Sequence, residues 1–157
     1  MAKNRGKQFE RKFAEDFQRS FPNGTLDRLY DQMSGYKTIS NISDFIGYNY
    51  PNIFYLECKS HEGNTFPLSN LTQYEPLSRK VGIKGVRAGV IIWFTDHDRV
   101  IYVPISTITK MKEDNVKSVN IRLIDEEMYK YVNIPSTKKR VFMDSDYSVL
   151  MNLKEGE

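Results

Sequence analysis

Apolar residues recur along the start of the chain at helical spacing. Phe9, Phe13 and Phe17 stand four apart, Ala14 and Phe21 widen the stripe, and Pro22-Asn23-Gly24 ends it. This predicts an amphipathic helix over residues 4–21. The period then shortens to two. Residues 26–30 read as a short strand that includes Arg28, and the polar, Gly- and Ser-containing residues 32–41 as a mobile loop. Residues 42–46 and 52–59 are rich in β-branched and aromatic side chains and read as two strands joined through a turn-prone stretch at 47–52. Alternation along the second strand puts Ile53, Tyr55, Glu57 and Lys59 on one face and Phe54, Leu56 and Cys58 on the other. A hairpin here brings Asp44 beside Glu57.

Further on, residues 60–65 form a turn-rich loop. A helix is expected from about Ser69 or Asn70, carrying Gln73 and the Arg79-Lys80 pair, with Pro76 favouring a later start. Residues 88–94 are almost continuously apolar and read as a central strand buried on both faces. A polar turn at Asp96-His97-Asp98 returns the chain as an antiparallel partner over 100–105, where Pro104 marks a strand end or an edge position. Ser106 is expected to cap a short helix to about residue 112. Residues 118–124 read as one more strand, and the tail after Asp146 as frayed. The succession of helix, strand, hairpin, helix, long apolar strand and returning strand predicts an α/β fold in three layers, a mixed central sheet flanked by helices. The 157 residues suit a single domain, 1–157, with its core over about 5–125.

Composition narrows the function classes. Hydrophobic residues make up 39% and aromatics 13%, enough for a packed interior, while no apolar run approaches the ~20 residues of a membrane span. The basic N-terminus leads into an amphipathic segment rather than the apolar core of a signal peptide. The lone Cys58 excludes an intrachain disulfide and a Cys-based zinc site and fits a reducing compartment, so a cytoplasmic location is expected. The net charge of +3 is mild, but it is unevenly spread. Basic residues gather at Lys3, Arg5, Lys7, Arg11 and Lys12, at Arg79, Lys80, Lys84 and Arg87, and at Lys138-Lys139-Arg140. One such patch alone is a solvated face; three beside a candidate metal site point to a polyanion such as nucleic acid.

Two carboxylates and an ammonium group on adjacent strands suit metal-assisted cleavage of a phosphodiester. Asp44, Glu57 and Lys59 are that set. Glu10 lies on the edge of the phenylalanine stripe, either as a surface acid paired with a nearby base or as part of the site. His61 and His97 read as an exposed loop residue and a turn residue, Cys58 as a small buried hydrophobe, and Trp93 as core. Tyr48, Tyr50 and Tyr55 suit either stacking on unpaired bases or ordinary packing.

The chain resembles the PD-(D/E)xK nuclease superfamily, with its restriction-endonuclease-like core, and within it the RecU-like Holliday-junction resolvases of Gram-positive bacteria and their phages. The resemblance is carried by Arg5-Gly6-Lys7-Gln8-Phe9-Glu10, Asn41-Ile42-Ser43-Asp44-Phe45, Glu57-Cys58-Lys59-Ser60, Thr65-Phe66-Pro67-Leu68 and the apolar strand at 90–94. It implies Mg²⁺, with Mn²⁺ as substitute, on Asp44, Glu57 and the Cys58 backbone carbonyl, with Glu10 near a second ion directly or through water. Lys59 would orient the water or stabilise the transition state. Gln73 would be the site residue of the following helix, with Glu75 as the alternative. It further implies a homodimer that nicks four-way DNA symmetrically to leave 5′-phosphate and 3′-hydroxyl ends. Among the basic residues, Lys7, Arg11, Arg28, Arg79, Lys80, Lys84 and Arg87 are expected on the DNA. Competing readings are another nuclease of the superfamily acting on duplex or flapped DNA, and a non-catalytic DNA-binding recombination accessory. Two departures stand out. The segment before Asp44 is shorter than the family's stalk insertion, and Ile42 stands where the family has a Thr near the metal.

Overall fold

The computed structural model describes residues 2–30, 32–34, 37–39, 41–124 and 126–157. Helix α1 (Ala2–Ser20) leads to β1 (Thr25–Arg28), to a small ribbon of β2 (Gln32–Ser34) and β3 (Lys37–Ile39), and to the hairpin of β4 (Phe45–Asn49) and β5 (Asn52–His61). A short β6 (Thr65–Pro67), a 3₁₀ turn and α2 (Tyr74–Ser78) precede β7 (Val86–Phe94) and β8 (Arg99–Pro104). Then follow α3 (Ile105–Glu113), β9 (Ser118–Asn120), β10 (Val132–Ile134), the ribbon of β11 (Ser136–Lys138) and β12 (Met143–Ser145), and a C-terminal 3₁₀ helix, Tyr147–Asn152.

Six strands form one mixed sheet in the order β1-β4-β5-β7-β8-β10. The β5–β7 pair is parallel and the other neighbours are antiparallel. The central strands β5 and β7 are the apolar ones, because only side chains that are comfortable between two layers fit there. Odd positions of β7 face one layer and even positions the other. On the first side Phe9, Phe13, Phe17 and Phe21 of α1 pack on Phe54, Leu56, Cys58, Ile91 and Trp93. On the second, Val90, Ile92 and Phe94 meet Leu77, Ile105, Ile108 and Met111. Each buried phenylalanine contributes about 1.5–3 kcal/mol by area alone. Gly47 and Gly89 permit this packing. A Cβ on Gly47 would lie 2.8 Å from the Phe17 ring, and one on Gly89 2.3 Å from that of Tyr102.

The expected three-layer α/β fold is therefore present, with several local corrections. The β4–β5 hairpin turns on two residues, Tyr50-Pro51, with a cis peptide between them, so strand pairing runs through most of the stretch read as turn. Within 32–41 the chain forms the β2–β3 ribbon; residues 31, 35, 36 and 40 lie outside the described set. Pro104 ends β8, which is internal between β7 and β10, and α3 starts at Ile105, so Ser106 falls inside the helix rather than capping it. The 118–124 strand shortens to β9, which pairs with β6. The tail is not frayed. Tyr147, Leu150 and Leu153 join the core under α1, held by hydrogen bonds from the Tyr147 amide to Ser20 Oγ and from the Ser145 amide to Asp16 Oδ2. The core consequently extends well past residue 125.

Candidate active site

Strand pairing sets the site. Phe45 stands opposite Leu56, and continuing that register by one residue places Asp44 opposite Glu57. The pairing stops there because Asp44 uses its side chain instead: Oδ2 accepts from the Cys58 amide at 2.9 Å, while its carbonyl accepts from the Leu29 amide at 2.8 Å. An N–H and C=O of one strand residue point to the same side. The Cys58 carbonyl thus faces the space beside Asp44. The neighbouring Ser43 is buried, its hydroxyl donating to the Phe45 carbonyl at 2.8 Å, which fixes the approach to Asp44.

Glu57 is only 2% exposed. Its Oε1 lies 3.6 Å from Lys59 Nζ, and its Oε2 is buried without a hydrogen-bond partner. Burial, then the charge of Asp44 and a hydrogen bond to it, push the Glu57 carboxyl up to about 9, against the opposing pull of Lys59. At neutral pH, with no cation, Glu57 therefore holds a proton. Glu10 reaches the same acid from α1. Burial and Asp44 raise its pKa, while the Arg28 guanidinium that bonds it acts in the other direction, as does Lys59. Asp44 and Lys59 therefore act on both acids from the middle of the site. Cys58 points away into the core, and burial with three nearby carboxylates pushes its thiol well up, so it stays protonated.

A divalent cation fits this donor set. An orphaned buried carboxylate oxygen, a second carboxylate beside it and a main-chain carbonyl are hard oxygen donors, and ionisation of Glu57 lacks only a counter-charge. Among the described residues no group of three His, Cys, Asp or Glu side chains converges on one point. Glu10 accordingly sits in the electrostatic neighbourhood of Asp44, engaged by Arg28, rather than closing a third side-chain ligand.

The other expected residues fare differently. Gln73 is the N-cap of α2, not inside it, and its Oε1 accepts from the Thr72 hydroxyl at 2.9 Å. Among the described residues it makes no hydrogen bond to the acids, and Glu75 is exposed on the first turn of α2. Arg79 and Lys80 follow α2 rather than lying on it; Lys80 stands 5.1 Å over the Tyr55 ring, on the face that carries Glu57. Lys7, Arg11, Arg79 and Lys84 are exposed. Arg28 is held internally, bonded to Glu10 and lying over the rings of Tyr30 and Phe45. Arg87 is a correction: period-two alternation turns it inward, where it is 5% exposed and its Nη1 lies 3.3 Å from Glu155, out of reach of DNA. His97 contacts Asn64 Oδ1 at 2.5 Å, as a turn residue. Asp16, buried and bound to Lys12 and Arg19, gave no signal in the sequence beyond one acid on the edge of the stripe.

Residues 26–142 match the family model described as "Recombination protein U", RecU, which is about three quarters of the chain. The chain belongs to the RecU family. That membership makes it a Holliday-junction resolving endonuclease. The curated proteins contain no match. Among solved structures the chain is similar to Hjc of Archaeoglobus fulgidus, a Holliday junction resolvase from an archaeal hyperthermophile. The identity is 18% and the TM-score 0.54, over 79% of this chain and 91% of that one. At that identity the likeness establishes the shared fold. No helix among the described residues is long and apolar enough to cross a membrane.

Proposed function

We propose that this RecU-family resolvase cuts four-way DNA with a divalent cation, Mg²⁺ or in its place Mn²⁺, held by Asp44, Glu57 and the Cys58 carbonyl. The observation that carries the reading is Glu57 Oε2, buried and unpartnered beside a second carboxylate. Such an arrangement is costly in an empty fold and is relieved by a positive ion. When bound, the cation supplies Lewis acidity at the scissile phosphate and lowers the pKa of a coordinated water.

The chain's own residues do the rest. Asp44 is oriented by the Cys58 amide, so its carboxylate is fixed before substrate arrives. A bound cation would favour the ionised form of Glu57. Lys59, on the same face and partly open to solvent, presents its ammonium group to the attacking water or to charge developing on phosphorus. Arg28 holds Glu10 at the rim, where Glu10 would add negative potential to a cation site at Asp44. Exposed Lys7, Arg11, Arg79 and Lys84, with half-buried Lys80, are assigned to the DNA backbone. Two copies related by a two-fold axis would supply the two cuts a resolved junction needs, leaving 5′-phosphate and 3′-hydroxyl ends.

Labelled four-way junction and linear duplex of matched sequence, each incubated in Mg²⁺ and in EDTA, test the reading. Paired nicks confined to the junction and to the metal-containing reaction are expected. Equal cutting of duplex would remove the structural selectivity, and binding without any metal-dependent cutting would leave an accessory role.

A further inference from the structure

The ribbon of β11 and β12 ends in a tip, residues 139–142, that projects beside the first half of α1. Phe142 anchors it, with its ring 5.4 Å from that of Trp93, which in turn lies 5.5 Å from Phe9. Trp93 pairs with Ser60 in the sheet, three positions beyond the Glu57–Val90 pair. The tip therefore stands at the end of the sheet toward which the catalytic hairpin opens, on the α1 side.

Between tip and helix run two adjoining cavities of about 520 and 280 Å³, which share Lys12 and Phe142 in their walls. Lys139, Arg140 and Val141 line one and Arg11 lines the other. The charges are unequally committed. Lys12 is tied to Asp16 and Asp144 at 2.7 and 2.6 Å, and Lys139 lies 4.0 Å from Asp144. Glu15 also lines the smaller cavity. Arg11 and Arg140 are exposed, and no ion pair to either is present among the described residues. Val141, 51% exposed, lies between Arg140 and half-buried Phe142.

We infer that this groove is a second DNA-binding element, in which Arg11, Lys139 and Arg140 grip the phosphates of one junction arm while Val141 and the edge of Phe142 meet its sugar or base surface. The inference rests on the endonuclease reading above and adds to it a contact outside the catalytic hairpin. The excess of uncommitted guanidinium groups matches a polyanion, and the apolar strip between them matches the less polar surface between phosphates. A protein partner of acidic character would meet the same charges, but it would not place them in line with the catalytic end.

The test is the affinity of full-length Lys139→Ala/Arg140→Ala for fluorescent four-way junction in EDTA, measured across a salt series, with thermal unfolding as the folding control. Loss of about two phosphate contacts lowers the slope of log K against log salt by about two and weakens binding roughly tenfold at moderate salt. Unchanged affinity and slope in the folded variant would overturn the inference. As a second measurement, Val141→Cys carrying a photocrosslinker is expected to label an arm of the junction; labelling no DNA would also overturn it. Wild-type cutting remains the separate control. If the wild type cuts junctions and the tip variant binds like it, only the groove assignment fails; if the wild type does not cut, the site reading fails first.

Discussion

Two buried carboxylates, Asp16 and Glu57, are equally hidden at 1% and 2% exposure, yet their surroundings are opposite. Asp16 is saturated. Lys12 and Arg19 lie 2.7 and 2.8 Å from its Oδ1, and the Ser145 amide donates to its Oδ2 at 3.0 Å. Glu57 has one ammonium at 3.6 Å, another acid beside it and an orphaned oxygen. Burial by itself does not mark function. What separates the two is whether the protein supplies the counter-charge, as it does when an acid ties helix to tail, or withholds it, as at the proposed cation site.

That contrast can be broken most forcefully at Glu57 and Asp44. Asp44→Asn and Glu57→Gln are each expected to lower junction cleavage at least about a hundredfold, measured by nicking of labelled junction, since each removes a carboxylate from the proposed cation site. Both are expected to leave the fold intact, and Glu57→Gln to raise the apo unfolding temperature by removing a desolvated acid. At Asp16 the reverse is expected. Asp16→Ala should cost roughly 2–3 kcal/mol by denaturant unfolding, the loss of charge-assisted bonds to partners that remain partly in water. Its folded fraction should still cut.

A smaller effect sharpens the same comparison through pH. Glu57 is raised in the folded chain from 4.5 to about 9, so the folded state holds a proton that the unfolded state gives up. Stability of the metal-free protein should therefore decline as pH rises from about 4.5 toward 9. Glu57→Gln should flatten that decline. Added Mg²⁺ should do the same to the wild type, because binding expels the proton, and its affinity should rise with pH across this window. Calorimetry in two buffers of different ionisation enthalpy checks the proton release.

The smallest expected change is at the rim. Arg28→Gln releases Glu10 from its partner and leaves Lys59 to oppose its negative charge near Asp44. A shift of the cleavage pH profile to higher pH is expected, read from single-turnover rates, because the acids then ionise later.

The parts that were legible in the sequence are those where one local rule decides. The phenylalanine spacing of α1 and the unbroken apolar run of β7 leave little choice of period, and the hairpin carrying Asp44 and Glu57 follows from two apolar strands with a turn between them. What was hidden depends on long-range partners. Arg87 belonged to a basic run in the sequence, but the register of β7 against Phe54 turns it inward toward Glu155. The C-terminal segment has sparse, irregular apolar residues, and it is ordered by docking on Ser20 and Asp16 more than a hundred positions away. The pairing of Glu10 with Arg28 also joins two elements whose separation in sequence conceals it. Asp44 as the group that acts on both other acids is a result of the sheet register, not of spacing along the chain.

Single-turnover cleavage of a labelled four-way junction, comparing wild type with Glu57→Gln in Mg²⁺ and wild type in EDTA, bears most directly on the central claim. Paired nicks by the wild type in Mg²⁺, with none in EDTA and none by the variant, are predicted. Cutting by the folded Glu57→Gln variant at the wild-type rate, or cutting that persists in EDTA, would contradict the assignment of the buried acid as the cation's seat.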